Sequence, residues 1–147
     1  LVVNGVFKEV WDRARPVHVT QFGGPWQFTP WWQPGSGREC RTNCSFVSGE
    51  ASGAAWLAAP ALLAPPAARV PLLAGVAAYT AVISGLRMAF GGHFLSDTLI
   101  AILLTLLMIA GAYRWFYRRP GAVPDEVWAA RLARLGAPLR RLVGRPG

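Results

Sequence analysis

Residues 98–113 read TLIAILLTLLMIAGAY, a run without a charge. Its length sits near the lower end of the ~17–25 residues that a membrane-spanning helix needs. A helix of a water-soluble bundle would show polar residues every few positions instead. Two similar runs precede it, Ala51–Ala68 and Val70–Leu86, and between 51 and 113 only Arg69, Arg87 and Asp97 carry charge. That scarcity predicts three transmembrane helices, with buried core helices of a soluble protein as the alternative. The expected fold class is all-α, a polytopic membrane helix bundle.

Composition points the same way. The chain is 53% hydrophobic and 15% charged, with a net charge of +8. A disordered chain would be poor in hydrophobic residues. A nucleic-acid-binding domain would spread its charge over a polar surface, so no nucleic-acid partner is expected, and the bilayer itself is. No basic segment leads into an apolar one after Leu1, so no signal peptide is read. The chain is expected to be N-terminally truncated, with Leu1–Trp11 the end of a helix whose earlier part is absent.

Prolines and arginines place the boundaries. Proline lacks an N–H and disfavours helix at the preceding residue, so the stretch from Pro65 to Pro71 reads as a tight connection between helices, with Pro60 a kink. Beyond the third run, Tyr113-Arg114-Trp115-Phe116-Tyr117-Arg118-Arg119 joins aromatic residues to Arg, the pattern of a cytoplasmic membrane boundary. Two regions follow: a membrane domain over 1–113 and a basic cytoplasmic tail over 114–147. From Pro124 to Val143, Trp128, Leu132, Leu135, Leu139 and Leu142 recur at helical spacing among Arg residues. This is either an amphipathic helix on anionic lipid or a solvated tail. With the Arg-rich end in the cytoplasm, the start of the third helix, near His93 and Asp97, lies on the outer face, as does Ser48.

The segment from Gln21 to Arg41 is rich in Gly, Pro and Trp. It reads as a long loop at headgroup depth, serving either as an interfacial anchor or as an entrance for lipid. Cys40 and Cys44 within it can pair as a disulfide if the loop faces an oxidising compartment; two free thiols is the alternative. Two Cys and two distant His do not make a zinc motif, so no metal site is expected.

The chemistry-bearing residues form three groups. His93 and Asp97 stand i and i+4 at the start of a helix and share a face. There a carboxylate can hold the imidazole tautomer and leave the other ring nitrogen free to attack; a structural His–Asp pair is the alternative. Arg87, before them, suits a phosphate bidentately, and ionisable residues at the end of an apolar span are costly. Ser48 is a plausible N-cap whose following N–H groups, with Gly49 allowing close approach, can bind an anion. Lys8 and Arg15, followed by Pro16, add two cations or are interfacial snorkelling residues.

Taken together, Lys8-x6-Arg15-Pro16, Ser48-Gly49 and Arg87-x5-His93-x3-Asp97 resemble the three motifs of the type-2 phosphatidic acid phosphatase superfamily. Asn4-Gly5-Val6-Phe7-Lys8 is similar to the family's approach to its first motif, and the resemblance runs from Leu1 to Tyr113. It implies the latter part of a roughly six-helix bundle and a phosphohistidine mechanism. His93 would be the nucleophile and Asp97 its orienting carboxylate. Lys8, Arg15 and Arg87, with Ser48 and the Gly49 N–H, would bind the phosphoryl oxygens. Three fixed cations would supply the stabilisation a metal gives elsewhere, so neither metal nor cofactor is implied.

One position departs from the family. Its second motif is Pro-Ser-Gly-His, whose His protonates the leaving group, and here Val47-Ser48-Gly49-Glu50 stands instead. Glu50 can be desolvated enough to act as acid or base, although nearby cations push its pKa down. His18 can take the role, or the leaving group can be good enough to need little protonation, or the enzyme can be dead. The stretch Cys44–Ser52 is similar to a bacterial branch that includes lipid A phosphatase-like proteins. The expected function is a lipid phosphatase at the outer face of a bacterial inner membrane, with lipid A, phosphatidylglycerol phosphate, phosphatidate and polyprenyl diphosphate as candidate substrates. Phosphotransfer to another lipid and non-catalytic headgroup binding are the alternatives.

Overall fold

A computed structural model of the chain describes residues 7–35, 40, 42–130 and 133–134. Residues 1–6, including Asn4 and Gly5 of the first motif's approach, lie outside them, as do most of the tail's periodic positions (Leu132, Leu135, Leu139 and Leu142). The chain divides into two compact units, 1–109 and 110–147.

In the first unit a helical turn, Lys8–Val10, leads through two 3-10 turns, Pro16–His18 and Thr20–Phe22, into an irregular loop. A lone bridge between Val19 and Trp26 ties that loop to itself. Four helices follow: α1 (Gly49–Trp56), α2 (Ala58–Leu63), α3 (Pro66–Ala89) and α4 (Leu95–Tyr113). Apart from that bridge, the regular elements among the described residues are all helical.

The first apolar run is not one spanning helix. It breaks at Leu57 into α1 and α2, and the turn is closed by the Leu57 N–H donating to the Ala54 carbonyl at 3.2 Å. The expected connection from Pro65 to Pro71 is also shorter than the prolines suggested. Helix α3 begins at Pro66 and runs through Pro71. Pro66 stands at the first helical position, where its missing N–H is unpaired in any case, and Pro71, in the second turn, forgoes one bond of a 24-residue helix.

Helix α3, and α4 with the turn that follows it (Leu95–Arg118), are each 24 residues long, with mean hydropathy of 1.5 and 2.1. At ~1.5 Å per residue each is ~36 Å long, enough to cross a ~30 Å hydrocarbon core. Only 11% and 28% of their apolar windows are buried. Core helices of a soluble protein would be mostly covered, so these faces belong in lipid.

Backbone hydrogen bonds stitch distant segments together at one end of these helices. Ser45 donates to the Arg13 carbonyl at 2.8 Å, Ser48 to Asp97 at 3.2 Å and Val17 to Gly91 at 3.1 Å. Beside them Phe46 packs on Phe7 and stacks on Trp11, with ring centroids 6.2 and 4.7 Å apart. Deeper, Ser52 on α1 meets Thr105 on α4 at 2.9 Å. Thr105 gives its proton to the Ala101 carbonyl, so Ser52 is the donor. In the second unit a π turn, Arg114–Arg118, follows α4, the Arg119 guanidinium lies 4.3 Å over the Trp115 ring, and residues 125–130 are helical.

Replacing Ser52 with Ala removes this interhelical hydrogen bond. The expected loss of stability in detergent is about 0.6–1 kcal/mol, read as the shift in the denaturant midpoint. No shift would show that the pair contributes nothing to holding α1 on α4.

Candidate active site

The centre of the site is a carboxylate with no exposure to solvent. Asp97, in the first turn of α4, is 0% exposed. It pairs with Arg13, accepts from the Ser45 hydroxyl at 2.5 Å and accepts from the Phe94 N–H at 2.9 Å. The last bond is the reach-back of an acidic side chain that closes a helix start. Arg13 is itself 2% exposed. Its guanidinium also donates to Ser96 Oγ and to the Thr29 carbonyl, each at 2.9 Å, and lies 4.3 Å over the Phe94 ring. Burial draws Arg13 below the usual guanidinium pKa, and Asp97 pulls it back up.

His93 lies against this pair. Its Nδ1 is 2.7 Å from the Ser45 carbonyl oxygen. A carbonyl can only accept, so Nδ1 carries the proton and Nε2 presents its lone pair away from the buried side. Asp97 was expected to orient the ring directly, but its nearer oxygen is 4.0 Å from Nδ1. Arg13, Ser45 and the Phe94 N–H occupy the carboxylate, and the Ser45 carbonyl makes the hydrogen bond to the ring. Asp97 acts on His93 through Ser45. Burial lowers the His93 pKa below the ordinary 6.5, although Glu50, the Ser45 hydrogen bond and Asp97 raise it in part. Burial thus favours the neutral ring, the form whose Nε2 lone pair a nucleophile needs.

Glu50 and Arg87 face the free nitrogen. One Glu50 oxygen lies 3.2 Å from His93 Nε2 and the other 3.0 Å from an Arg87 guanidinium nitrogen. Burial pushes the Glu50 carboxyl up, but its backbone hydrogen bond, Arg87 and His93 outweigh that and leave it below the usual value. Gly92 makes room for Arg87, since a Cβ there would stand 3.1 Å from the guanidinium. Gly91, at φ +64°, holds the left-handed turn whose carbonyl receives Val17.

Lys8 and Arg15 converge on Asn43. Lys8 Nζ and an Arg15 guanidinium nitrogen reach Asn43 Oδ1 at 3.1 and 2.8 Å, and Arg15 Nε reaches its carbonyl at 3.0 Å. Lys8 lies within electrostatic reach of Arg15, Glu50 and Arg87, and Arg15 within reach of His93. Ser48 caps α1, its oxygen accepting from the Ala51 N–H at 3.3 Å, and Gly49 opens that helix. His18 packs edge-on to Trp26; its backbone N–H donates to the Arg15 carbonyl at 2.9 Å, and no side-chain hydrogen bond joins its ring to this cluster among the described residues. Cys40 and Cys44 are joined by a disulfide. No group of three His, Cys, Asp or Glu able to hold a metal ion occurs among the described residues.

Three functional residues escaped the sequence reading: Arg13, Ser45 and Asn43. Arg13 sits inside the Lys8-x6-Arg15 spacing, where a third cation carries no pattern of its own. Ser45 acts through its backbone carbonyl as well as its hydroxyl, and a carbonyl leaves no trace in residue type. Asn43 adopts φ +51°, a conformation in which Asn is enriched, which was the one available signal.

The PAP2 superfamily matches residues 1–120. The chain belongs to this superfamily. It is 41% identical over 111 residues to a protein named lipid A 4'-phosphatase from Rhizobium etli, covering 75% of this chain and 42% of the relative. It is 40% identical over 129 residues to one of the same name from Francisella tularensis subsp. novicida, covering 81% and 53%. The chain thus spans about half the length of these relatives. No solved structure matches it.

Removing the Arg13 side chain (Arg13→Ala) leaves Asp97 buried and unpaired, at an expected cost of about 3–5 kcal/mol, measured by chemical denaturation in detergent. Arg13→Ala and Asp97→Asn should be strongly non-additive, with the double variant no less stable than Arg13→Ala alone. Additive losses would show that the two side chains do not act as a pair.

Proposed function

We propose that the protein is a membrane lipid phosphatase that removes a phosphate from lipid A or a closely similar phosphorylated lipid through a phosphohistidine. One observation carries the reading. His93, with one proton on Nδ1, aims Nε2 at a Glu50 oxygen 3.2 Å away, a contact that needs a second proton shared between the two, while the other Glu50 oxygen pairs with Arg87. An anion held between a nucleophile and a guanidinium marks the place of a phosphoryl group. The names of the relatives support lipid A as the substrate.

In the proposed reaction the substrate phosphate takes the place of Glu50 between Arg87 and His93. Losing Arg87 and meeting a dianion both raise the Glu50 pKa, so the displaced carboxylate picks up a proton. Nε2 attacks phosphorus, the bond to the lipid oxygen breaks, and the departing oxygen takes the proton from Glu50. Glu50, now ionised, accepts a proton from water as that water attacks the phosphohistidine, releasing inorganic phosphate and neutral His93. Arg87, Lys8 and Arg15, with Ser48 and the Gly49 N–H, offset the charge on the equatorial oxygens. The site is proposed to face the periplasm of a bacterial inner membrane. A disulfide belongs to an oxidising compartment, and the Arg-rich stretch after Tyr113 is a cytoplasmic signal.

Phosphate release from a lipid panel tests this directly. His93→Ala should abolish release, and chelator should change it less than twofold. Wild-type rates from His93→Ala, or loss of activity with chelator, would contradict the mechanism. Glu50→Gln should slow phosphomonoesters about 10²–10⁴-fold and diphosphates far less; equal slowing would remove the acid role. The pH profile adds a check. A lowered His93 pKa keeps the nucleophile neutral to lower pH, so the acid limb of kcat/KM lies below 6.5. Glu50 raises that pKa, so Glu50→Gln should move the limb lower still, and an upward move would contradict the pairing.

A further inference from the structure

Helix α3 packs on α1 and α2, and a cavity of about 480 Å³, walled in part by Ala55 of α1 and Ala58 of α2, opens between it and α4. The cavity starts at Met88 and Leu95, the immediate neighbours of Arg87 and Phe94, and runs to Leu73 and Leu106. From Met88 to Leu73 the helix covers ~22 Å. It is an apolar slot leading from the phosphate-binding end of the bundle into the depth of the membrane.

Its wall carries two anomalies. Thr80 and Ser84 stand i and i+4 on α3, so they share the face that lines the slot. Each is 6% exposed, and neither hydroxyl has a hydrogen-bond partner among the described residues. Thr98, also on the wall, is different, because its hydroxyl donates to the Leu95 carbonyl. A hydroxyl without a partner at membrane depth is unfavourable. A bare hydrocarbon cannot relieve it; a helix carbonyl or a facing side chain can, as for Thr98 and Ser52, but among the described residues neither reaches Thr80 or Ser84. An acyl chain that carries a carbonyl or hydroxyl oxygen can. Ser84 lies three residues and Thr80 seven residues from Arg87, or ~4.5 and ~10.5 Å along the helix axis.

We propose that the slot between α3 and α4 is an acyl-chain site. In it Thr80 and Ser84 hydrogen-bond an ester, amide or hydroxyl oxygen carried ~5–10 Å from the phosphate, which selects acylated phosphates over polyprenyl phosphates. This rests on the phosphatase reading and narrows its substrate class. The slot's end at Met88 and Leu95 is one residue along the chain from Arg87 and Phe94, and its polar pair sits at the depth where an acyl linkage follows a headgroup phosphate.

The test compares kcat/KM for phosphatidate and for a polyprenyl phosphate in mixed micelles, using the full chain. The double variant Thr80→Val with Ser84→Ala should lower kcat/KM for phosphatidate about tenfold and leave the polyprenyl phosphate within twofold, which also shows that the variant folds. Filling the slot with Ala77→Phe should slow phosphatidate while sparing a short, water-soluble phosphomonoester. Equal effects of the double variant on both lipids, or no effect of either change, would overturn the proposal. A photoactivatable acyl chain on phosphatidate provides a readout independent of turnover. Cross-links to α3 around Thr80 in the wild-type protein support the slot even if no lipid is hydrolysed, whereas labelling confined to other helices overturns it.

Discussion

The buried ion pair between Arg13 and Asp97 organises the rest of this structure. Both side chains are almost wholly removed from solvent, where two charges are stable only with good geometry and every remaining lone pair satisfied. Satisfying them requires the Thr29 carbonyl, the Ser96 and Ser45 hydroxyls and the Phe94 N–H. Those groups come from the loop after the first motif, from the segment before α1 and from the start of α4. Neutralising one carboxylate therefore draws together three stretches that are far apart in the chain. Ser45, held by Asp97, then turns its carbonyl to His93, so the ion pair's geometry reaches the ring one residue removed.

Around the ring the charges are arranged with a gap. Arg87 takes Glu50, while Lys8 and Arg15 take Asn43. Each cation therefore rests on a partner that is weaker than a phosphate dianion, and both partners are exposed. In the proposed reaction an incoming phosphate exchanges these contacts for stronger charge-assisted ones. The fold keeps Lys8, Arg15 and Arg87 half-buried at the rim and its structural pair dry beneath. That division lets one site be rigid at the nucleophile and adaptable at the anion. The small residues Gly91 and Gly92 serve it locally, one by turning the chain and the other by clearing space for Arg87.

Much of this was legible from residue types. Long apolar stretches with almost no charge identify α3 and α4, because hydrocarbon tolerates little else. Spaced cations around a His–Asp step carry the resemblance to the superfamily that matches residues 1–120, and the break from His to Glu50 is plain on inspection. What was not legible depends on backbone geometry. The first apolar run looks continuous, yet a single turn at Leu57 divides it. Pro71 looks like a stop, yet near a helix start it is absorbed. Asp97 looks like the ring's partner from its i, i+4 spacing, but Arg13 and Ser45 from elsewhere in the chain claim it together with the local Phe94 N–H, and tertiary partners cannot be read from local spacing.

The account stands or falls on the free nitrogen of His93. Quenching a single turnover in alkali and locating phosphate by mass spectrometry and phosphorus NMR would read it directly. The account predicts phosphate on Nε2 of His93, formed and lost at rates that match turnover, because Nδ1 is committed to the Ser45 carbonyl. Phosphate on Nδ1, on another residue, or release of inorganic phosphate with His93 never labelled would contradict it.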